Sequence, residues 1–128
     1  GFPACRAMAA PDRGAAMGRS MGGFRTWQVA ALSPHIRAGV AVCWMATIES
    51  LMKPGNNQTN GESSYTMLHP GLLRLLDYPD VASLACPKPM LFYNVRQDKL
   101  FPGPGIEAAY AKMRVVWDSQ DAGDRLVT

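Results

Sequence analysis

The sequence predicts an α/β fold: a mainly parallel sheet with helices on both faces, formed by a single domain that spans residues 1–128. Strand-like runs alternate with helical runs along the chain, which is the pattern of a parallel sheet with helical crossovers. The run 38–44 is continuously apolar, as expected for a strand covered on both faces. A chain of 128 residues that is 48% hydrophobic and 18% charged can form one hydrophobic core.

Local signals place the elements in order. The predicted elements are strands at 14–17, 38–44 and 90–95 with a candidate fourth from Leu126, helices at 24–32 and 106–117, and short helical pieces at 48–52 and 81–84. Ser33-Pro34 ends the first of these helices, because a residue before proline avoids the helical conformation. Residues 5–10 are good helix formers that could end an earlier helix.

Residues 46–80 are predicted to form a loop-rich insertion. The stretch 53–62 is polar and glycine-rich, which is typical of a loop. Helical spacing returns over 64–76, where leucines form an apolar face and Pro70 suits a first helical position. The sequence Asp-Tyr-Pro-Asp at 77–80 is expected to break that helix.

Residues 18–22 match the pattern G-x-S-x-G between a predicted strand and a predicted helix, an arrangement called a nucleophile elbow. The serine must lie where the strand stops and the helix begins, so its neighbours should lack bulky side chains. The elbow glycines are Gly18, Gly22 and Gly23. The turn would expose the Ser20 hydroxyl, and the N–H of Met21 would be an oxyanion donor. The alternative for so short a pattern is an ordinary loop.

A nucleophilic serine needs a base and an acid that orients the base. Asp98 follows the predicted strand 90–95, at the sheet edge where catalytic groups gather, although an aspartate there could also simply cap a turn. Asp80 is a rival acid that is better suited to capping a helix. No histidine follows Asp98. Of the two histidines, His69 is a weak candidate for the base, because it stands just before Pro70 and is better suited to capping or flanking the helix predicted there. His35 is less suited still, so we expect the base to lie beyond residue 128 or to be absent.

Together these motifs resemble the esterases related to dienelactone hydrolase and acetylxylan esterase, which are α/β-hydrolases. The segments that carry the resemblance are GRSMGGFRTW (18–27), VCWM (42–45), HPGLL (69–73), PMLF (89–92), QD (97–98) and FP (101–102). The resemblance implies that Ser20 is the nucleophile, Asp98 the triad acid and the Met21 N–H an oxyanion donor. It also implies ester hydrolysis through an acyl-enzyme without metal or cofactor. Members closer to dienelactone hydrolase have cysteine at the elbow, so the serine favours the esterases.

The resemblance covers residues from about Asp12 to Trp117 and implies an incomplete α/β-hydrolase fold. The expected substrates are small acyl or acetyl esters, with low activity for a chain that has no triad histidine. Two alternatives remain: a non-catalytic interaction module that could form homo-oligomers through exposed sheet edges, and a serine peptidase of the prolyl-oligopeptidase type. Arg19 and Trp44 are candidate pocket residues, with surface charge and a core aromatic as the competing interpretations.

Charge and cysteine content argue against several other classes. The net charge is +3 and the 13 Lys and Arg residues are scattered, which disfavours nucleic-acid or membrane partners. Cys5, Cys43 and Cys86 form no C-x-x-C pair, which disfavours a zinc site and a disulfide framework. The sequence shows neither a signal peptide nor a membrane span, which favours the cytoplasm. Gly1 as the first residue suggests a fragment.

Overall fold

Four parallel strands form one sheet, and they neighbour one another in the order in which they occur along the chain. The computed structural model describes residues 12–56 and 68–128. The strands are β1 (Gly14–Arg19), β2 (Ile36–Val42), β3 (Met90–Tyr93) and β4 (Leu126–Val127). The α/β class is confirmed, and each predicted strand is present with shifted ends. Because all four are parallel, their carboxyl ends lie along the same edge of the sheet.

Helices follow the strands as the alternating pattern predicts. They are α1 (Met21–Leu32), α2 (Ile48–Leu51), α3 (Tyr78–Ser83) and α4 (Gly103–Ser119), with 3-10 helices at Leu72–Arg74 and Gly123–Arg125. α1 begins at Met21 rather than at residue 24, so it starts directly after Ser20. α4 begins before residue 106 because a proline lies in its first turn, where the missing N–H would have no helical partner.

The described helices pack on one face of the sheet. On this face Ala41, Met90 and Phe92 are buried, and Phe92 contacts Tyr110 of α4 with ring centroids 6.4 Å apart. On the opposite face Met17 is 80% exposed and Val127 is 54% exposed. Helices on both faces were expected; in residues 12–56 and 68–128 they lie on one.

Lys88 fastens the end of α1 to the start of β3. Its Nζ donates hydrogen bonds to the carbonyl oxygens of Ala30 at 2.5 Å and Ser33 at 2.9 Å. These are terminal carbonyls that have no partner within the helix, and a lysine near a helix C-terminus also interacts favourably with the helix dipole. The carbonyl of Lys88 in turn accepts from Trp117 Nε1 at 3.1 Å. One residue thereby links α1, β3 and α4.

The predicted helix over 64–76 is wrong in its described part. Residues 68–76 contain only the 3-10 helix Leu72–Arg74, and Leu75 is 84% exposed. The part of that prediction before residue 68 lies outside the described residues, as do most of the predicted loop 53–62 and the helix formers at 5–10.

The expected helix break at 77–80 is instead a helix start. Asp77 is the N-cap of α3, and its Oδ1 accepts from the N–H of Tyr78 at 2.6 Å. The N–H of Asp77 donates to Asp80 Oδ2 at 2.8 Å, which completes a capping box. The capping role that the sequence favours for Asp80 is therefore confirmed.

Candidate active site

Ser20 occupies a strained turn between β1 and α1. Its backbone angles are φ 55° and ψ −124°, a region that residues other than glycine rarely adopt. The N–H of Ser20 donates to the carbonyl of Val42 at 2.9 Å, and its carbonyl accepts from the N–H of Phe24 at 3.0 Å. These two bonds hold the turn against the end of β2 and the first turn of α1. The residue is exposed, and its side chain makes no capping hydrogen bond to the helix.

Two elbow glycines are required by close backbone approach, and the third is not. A Cβ at Gly18 would lie 2.3 Å from the carbonyl carbon of Gly22. A Cβ at Gly23 would lie 2.8 Å from the carbonyl oxygen of Val42. A Cβ at Gly22 would meet no atom within 4 Å. The two glycines of the pattern therefore differ: the backbone of Gly22 is the surface on which Gly18 packs, whereas a Cβ at Gly22 itself would enter open space.

Met21 is the first residue of α1. The first N–H groups of a helix have no partner within the helix and carry a partial positive charge. An N–H in this position, directly after an exposed serine, is suited to stabilising a negative oxygen. Arg19 is the last residue of β1 and directly precedes the serine, so it also lies at this edge of the sheet. Arg19 is exposed.

Asp98 lies in the loop that follows β3, on the same edge of the sheet as Ser20, with β2 between their two strands. It is half-buried, and its Oδ1 accepts from the N–H of Leu100 at 2.9 Å. Its own N–H donates to the carbonyl of Val95 at 3.1 Å. The described hydrogen bonds of Asp98 thus stay within its loop, and none joins it to Ser20 or to a histidine.

No described contact joins either histidine to Ser20. The ring of His69 stacks on Phe24 with centroids 6.1 Å apart, and its Nε2 lies 3.5 Å from the side-chain nitrogen of Gln28. At a rise of 1.5 Å per residue, Phe24 and Gln28 are about 6 and about 12 Å along the helix axis from Ser20. His35 directly precedes β2 and so lies at the amino edge of the sheet, opposite the serine. His69 therefore packs beside α1. The sequence favours it as a residue that caps or flanks the predicted helix over 64–76, but in the described residues only a 3-10 helix forms there.

Trp44, a candidate pocket residue, belongs to the core. It is 1% exposed, and its ring packs on Phe24 at 4.3 Å and on Phe101 at 5.2 Å between centroids. The residue before it, Cys43, lies outside the strand, because β2 ends at Val42 and Cys43 has a positive φ of 56°. Cys43 is half-buried. The apolar run 38–44 contained no signal for this break.

A polar pair at the ends of β3 and α4 was not identified from the sequence. Tyr110 Oη donates to Asn94 Oδ1 at 2.6 Å, directly after β3. Burial raises the pKa of Tyr110 above its ordinary value, and the nearby Cys43 side chain adds to the effect. Helical spacing predicts Tyr110 as a core residue, and Asn94 falls inside the predicted strand, so neither position had a signal for this bond.

A cavity of about 560 Å³ lies beside this pair, between the end of β3 and the first turns of α4. Phe92, Arg96 and Glu107 are among the residues that line it, and Ser20 is not. The cavity is therefore separate from the elbow. In the part of the chain that the structure describes, no three or more metal-ligating side chains come together. None of the described helices is both long and apolar enough to cross a bilayer.

These features define a class of protein: an α/β fold with a serine held at positive φ between a parallel strand and a helix. Sequence comparison finds a similarity to a curated protein of Bacillus subtilis (strain 168) that is named "Putative hydrolase YtaP". The two sequences are 31% identical over 114 residues, which cover 89% of this chain and 37% of the relative. The chain therefore spans little more than a third of that protein. No family model matches the chain, and no solved structure matches it.

Proposed function

We propose that this chain carries the nucleophile and the acid of a serine hydrolase with an α/β-hydrolase fold, acting on small acyl or acetyl esters. The observation that carries the proposal is the backbone of Ser20, whose positive φ places an exposed hydroxyl between a parallel strand and a helix. The similarity to a protein named as a hydrolase supports the same reaction class.

In the proposed reaction, Ser20 Oγ attacks the ester carbonyl and a base removes the hydroxyl proton. The N–H of Met21 would donate to the oxyanion of the tetrahedral intermediate. The intermediate collapses to an acyl-serine as the base returns the proton to the departing alcohol. Water then attacks the acyl-serine by the same sequence and releases the acid. Asp98 would orient the base, which we assign to a histidine outside this sequence, because His35 lies at the amino edge of the sheet and the described contacts of the His69 ring are with α1 rather than with Ser20 or Asp98.

Imidazole added to the buffer provides a direct test, since it can stand in for a missing histidine side chain. The 128-residue chain is expected to hydrolyse p-nitrophenyl acetate close to background, because removing one triad member costs on the order of 10⁴ or more in kcat. With imidazole, the rate should exceed that of Ser20→Ala assayed in the same buffer. Ser119→Ala, which removes an exposed hydroxyl at the end of α4, is the matched control and should behave as the parent chain. Equal imidazole-dependent rates for the parent chain and Ser20→Ala would contradict the proposal.

The open sheet face favours a second candidate function, a non-catalytic interaction module. Met17, Tyr93 and Val127 are all more than half exposed on that face, and exposed apolar side chains on an uncovered sheet face are suited to an association site. Sedimentation velocity over a range of concentrations tests self-association. A monomer at every concentration would argue against the form of this candidate in which the chain binds itself.

A further inference from the structure

The loop that carries Asp98 is held at its start by a side-chain hydrogen bond. Asn94 is the first residue after β3, and its Oδ1 accepts from Tyr110 Oη of α4 at 2.6 Å. The preceding residue, Tyr93, accepts from the N–H of Cys43 at 2.6 Å, which fastens the end of β3 to the end of β2. The position where the loop leaves the sheet is therefore set by contacts from both a helix and a strand.

The same loop is held at its other end by aromatic packing. Phe101 is 3% exposed, and its ring lies edge-on to Trp44 with centroids 5.2 Å apart. Trp44 packs in turn on Phe24, which lies one helical turn after Ser20 in α1. This end of the loop is thus linked through two rings to the helix that begins at the elbow.

Between these anchors the loop is held mainly by its own atoms. The described hydrogen bonds of Asp98 reach only Val95 and Leu100. A short loop without bonds to its surroundings takes its orientation from its two ends, so the direction of the Asp98 carboxylate depends on Asn94 and Phe101.

The bond to Tyr110 accounts for an otherwise unfavourable asparagine. Asn94 Nδ2 is buried and has no hydrogen-bond partner among the described residues. An unpaired buried amide destabilises a fold, so an apolar residue would fit this position better unless the Oδ1 had a role. Burial raises the pKa of Tyr110, so its hydroxyl keeps the proton that it donates to Asn94. The Tyr110–Asn94 bond is the described contact that gives the asparagine a role.

We infer that Tyr110 is a positioning residue for the triad acid: through Asn94 it fixes the start of the loop and thereby the direction of Asp98. The inference rests on the proposed function for its catalytic meaning. The contact itself is independent of that function and can be tested without turnover.

Amide hydrogen exchange of Tyr110→Phe tests the contact. The substitution removes the hydroxyl and keeps the ring. The N–H of Leu100, which donates to Asp98 Oδ1, should exchange roughly three- to tenfold faster, because loop opening loses one hydrogen bond to resist it. The N–H of Met113, buried on α4, should be unchanged. Tyr93→Phe is the matched control, because it removes the hydroxyl of an exposed tyrosine in β3. It should leave the exchange rates of both amides unchanged. An unchanged Leu100 rate in Tyr110→Phe would overturn the inference.

A double-mutant cycle tests the catalytic meaning. In the imidazole-supplemented assay, Tyr110→Phe should lower the Ser20-dependent kcat by roughly three- to tenfold with KM unchanged. Asp98→Asn should lower it further, and adding Tyr110→Phe to Asp98→Asn should have no additional effect, because Tyr110 acts through Asp98. Independent, multiplicative effects would overturn the inference. If no Ser20-dependent rate is found, the proposed function fails, and the exchange of Leu100 still decides whether Tyr110 fixes the loop.

Discussion

Gly18 and Gly22 hold equivalent places in the G-x-S-x-G pattern, but the space around them differs. Gly18 faces the backbone of Gly22 at a distance that no Cβ can occupy, whereas the space beside Gly22 is open. The pattern predicts the turn because both glycines and the serine are local in sequence. It could not predict which glycine is required, since that depends on how β1 approaches α1.

Alanine substitutions at Gly18 and Gly22 should therefore have different effects on the free energy of unfolding. Gly18→Ala is expected to lower the free energy of unfolding by at least about 2 kcal/mol, because backbone on both sides of the serine must shift. Gly22→Ala should be neutral or stabilising by up to about 1 kcal/mol, since alanine is the better helix former. Urea unfolding of the two variants measures the difference. Similar losses for both would show that Gly22 also needs its small size.

The link between α3 and α4 operates through the capping box at the start of α3. Lys112 of α4 forms an ion pair with Asp80, with Nζ 2.7 Å from Oδ1. Partial burial acts to raise the pKa of Asp80, but the hydrogen bond from Lys112, the N–H of Asp77 and the charge of Lys112 outweigh it. The pKa of Asp80 is therefore held below its ordinary value.

This lowered pKa predicts a loss of stability in acid. Because the carboxylate is favoured in the folded state, its contribution is complete above the ordinary aspartate pKa of about 4 and is lost as the pH falls through the lower folded value. Asp80→Asn should be less stable at neutral pH and should lose less stability than the parent chain on acidification. Unfolding in urea at a series of pH values measures both. Asp124→Asn, which changes an exposed aspartate, is the control and should lose stability in acid as the parent chain does. If the parent chain and Asp80→Asn lost the same stability on acidification, the assignment to Asp80 would be contradicted.

Elements with a clear local signal were predicted well, and those set by tertiary contacts were not. The helix starting at the elbow and the helix α4 have regular apolar spacing from residues 24 and 106 onward, and only their glycine-containing first turns were missed. Over 68–76, by contrast, leucine spacing predicts a helix, but a 3-10 turn forms and Leu75 remains exposed. The break at Cys43 was equally hidden, because every residue around it is apolar.

At the scale of the whole molecule, one aromatic cluster joins the elements that build the candidate site. Trp44 lies at its centre, with Phe24 of α1 at 4.3 Å, Tyr78 of α3 at 5.0 Å and Phe101 of the Asp98 loop at 5.2 Å between ring centroids. Chain order alone predicted that Ser20 and Asp98 follow two strands of one parallel sheet. It left open whether Trp44 is a pocket residue or a core aromatic, because burial depends on which side chains converge after the strand ends.

Tyr78 makes this cluster sensitive to alkaline pH. Burial raises the pKa of its hydroxyl to about 12, and the charge of Asp77 adds to the effect. Since the neutral phenol is favoured in the folded state, its contribution to stability is complete below the ordinary tyrosine pKa of about 10 and is lost as the pH rises from there towards the folded value. Tyr78→Phe keeps the ring in the cluster and should make the decline of the unfolding free energy between about pH 10 and about pH 12 less steep, with a remainder from Tyr110, whose pKa is also raised by burial. Tyr93 is 58% exposed, so Tyr93→Phe serves as the control, and its unfolding free energy should decline as that of the parent chain does. If the unfolding free energy of Tyr78→Phe fell with pH as steeply as that of the parent chain, Tyr78 would not be a source of the alkaline loss of stability.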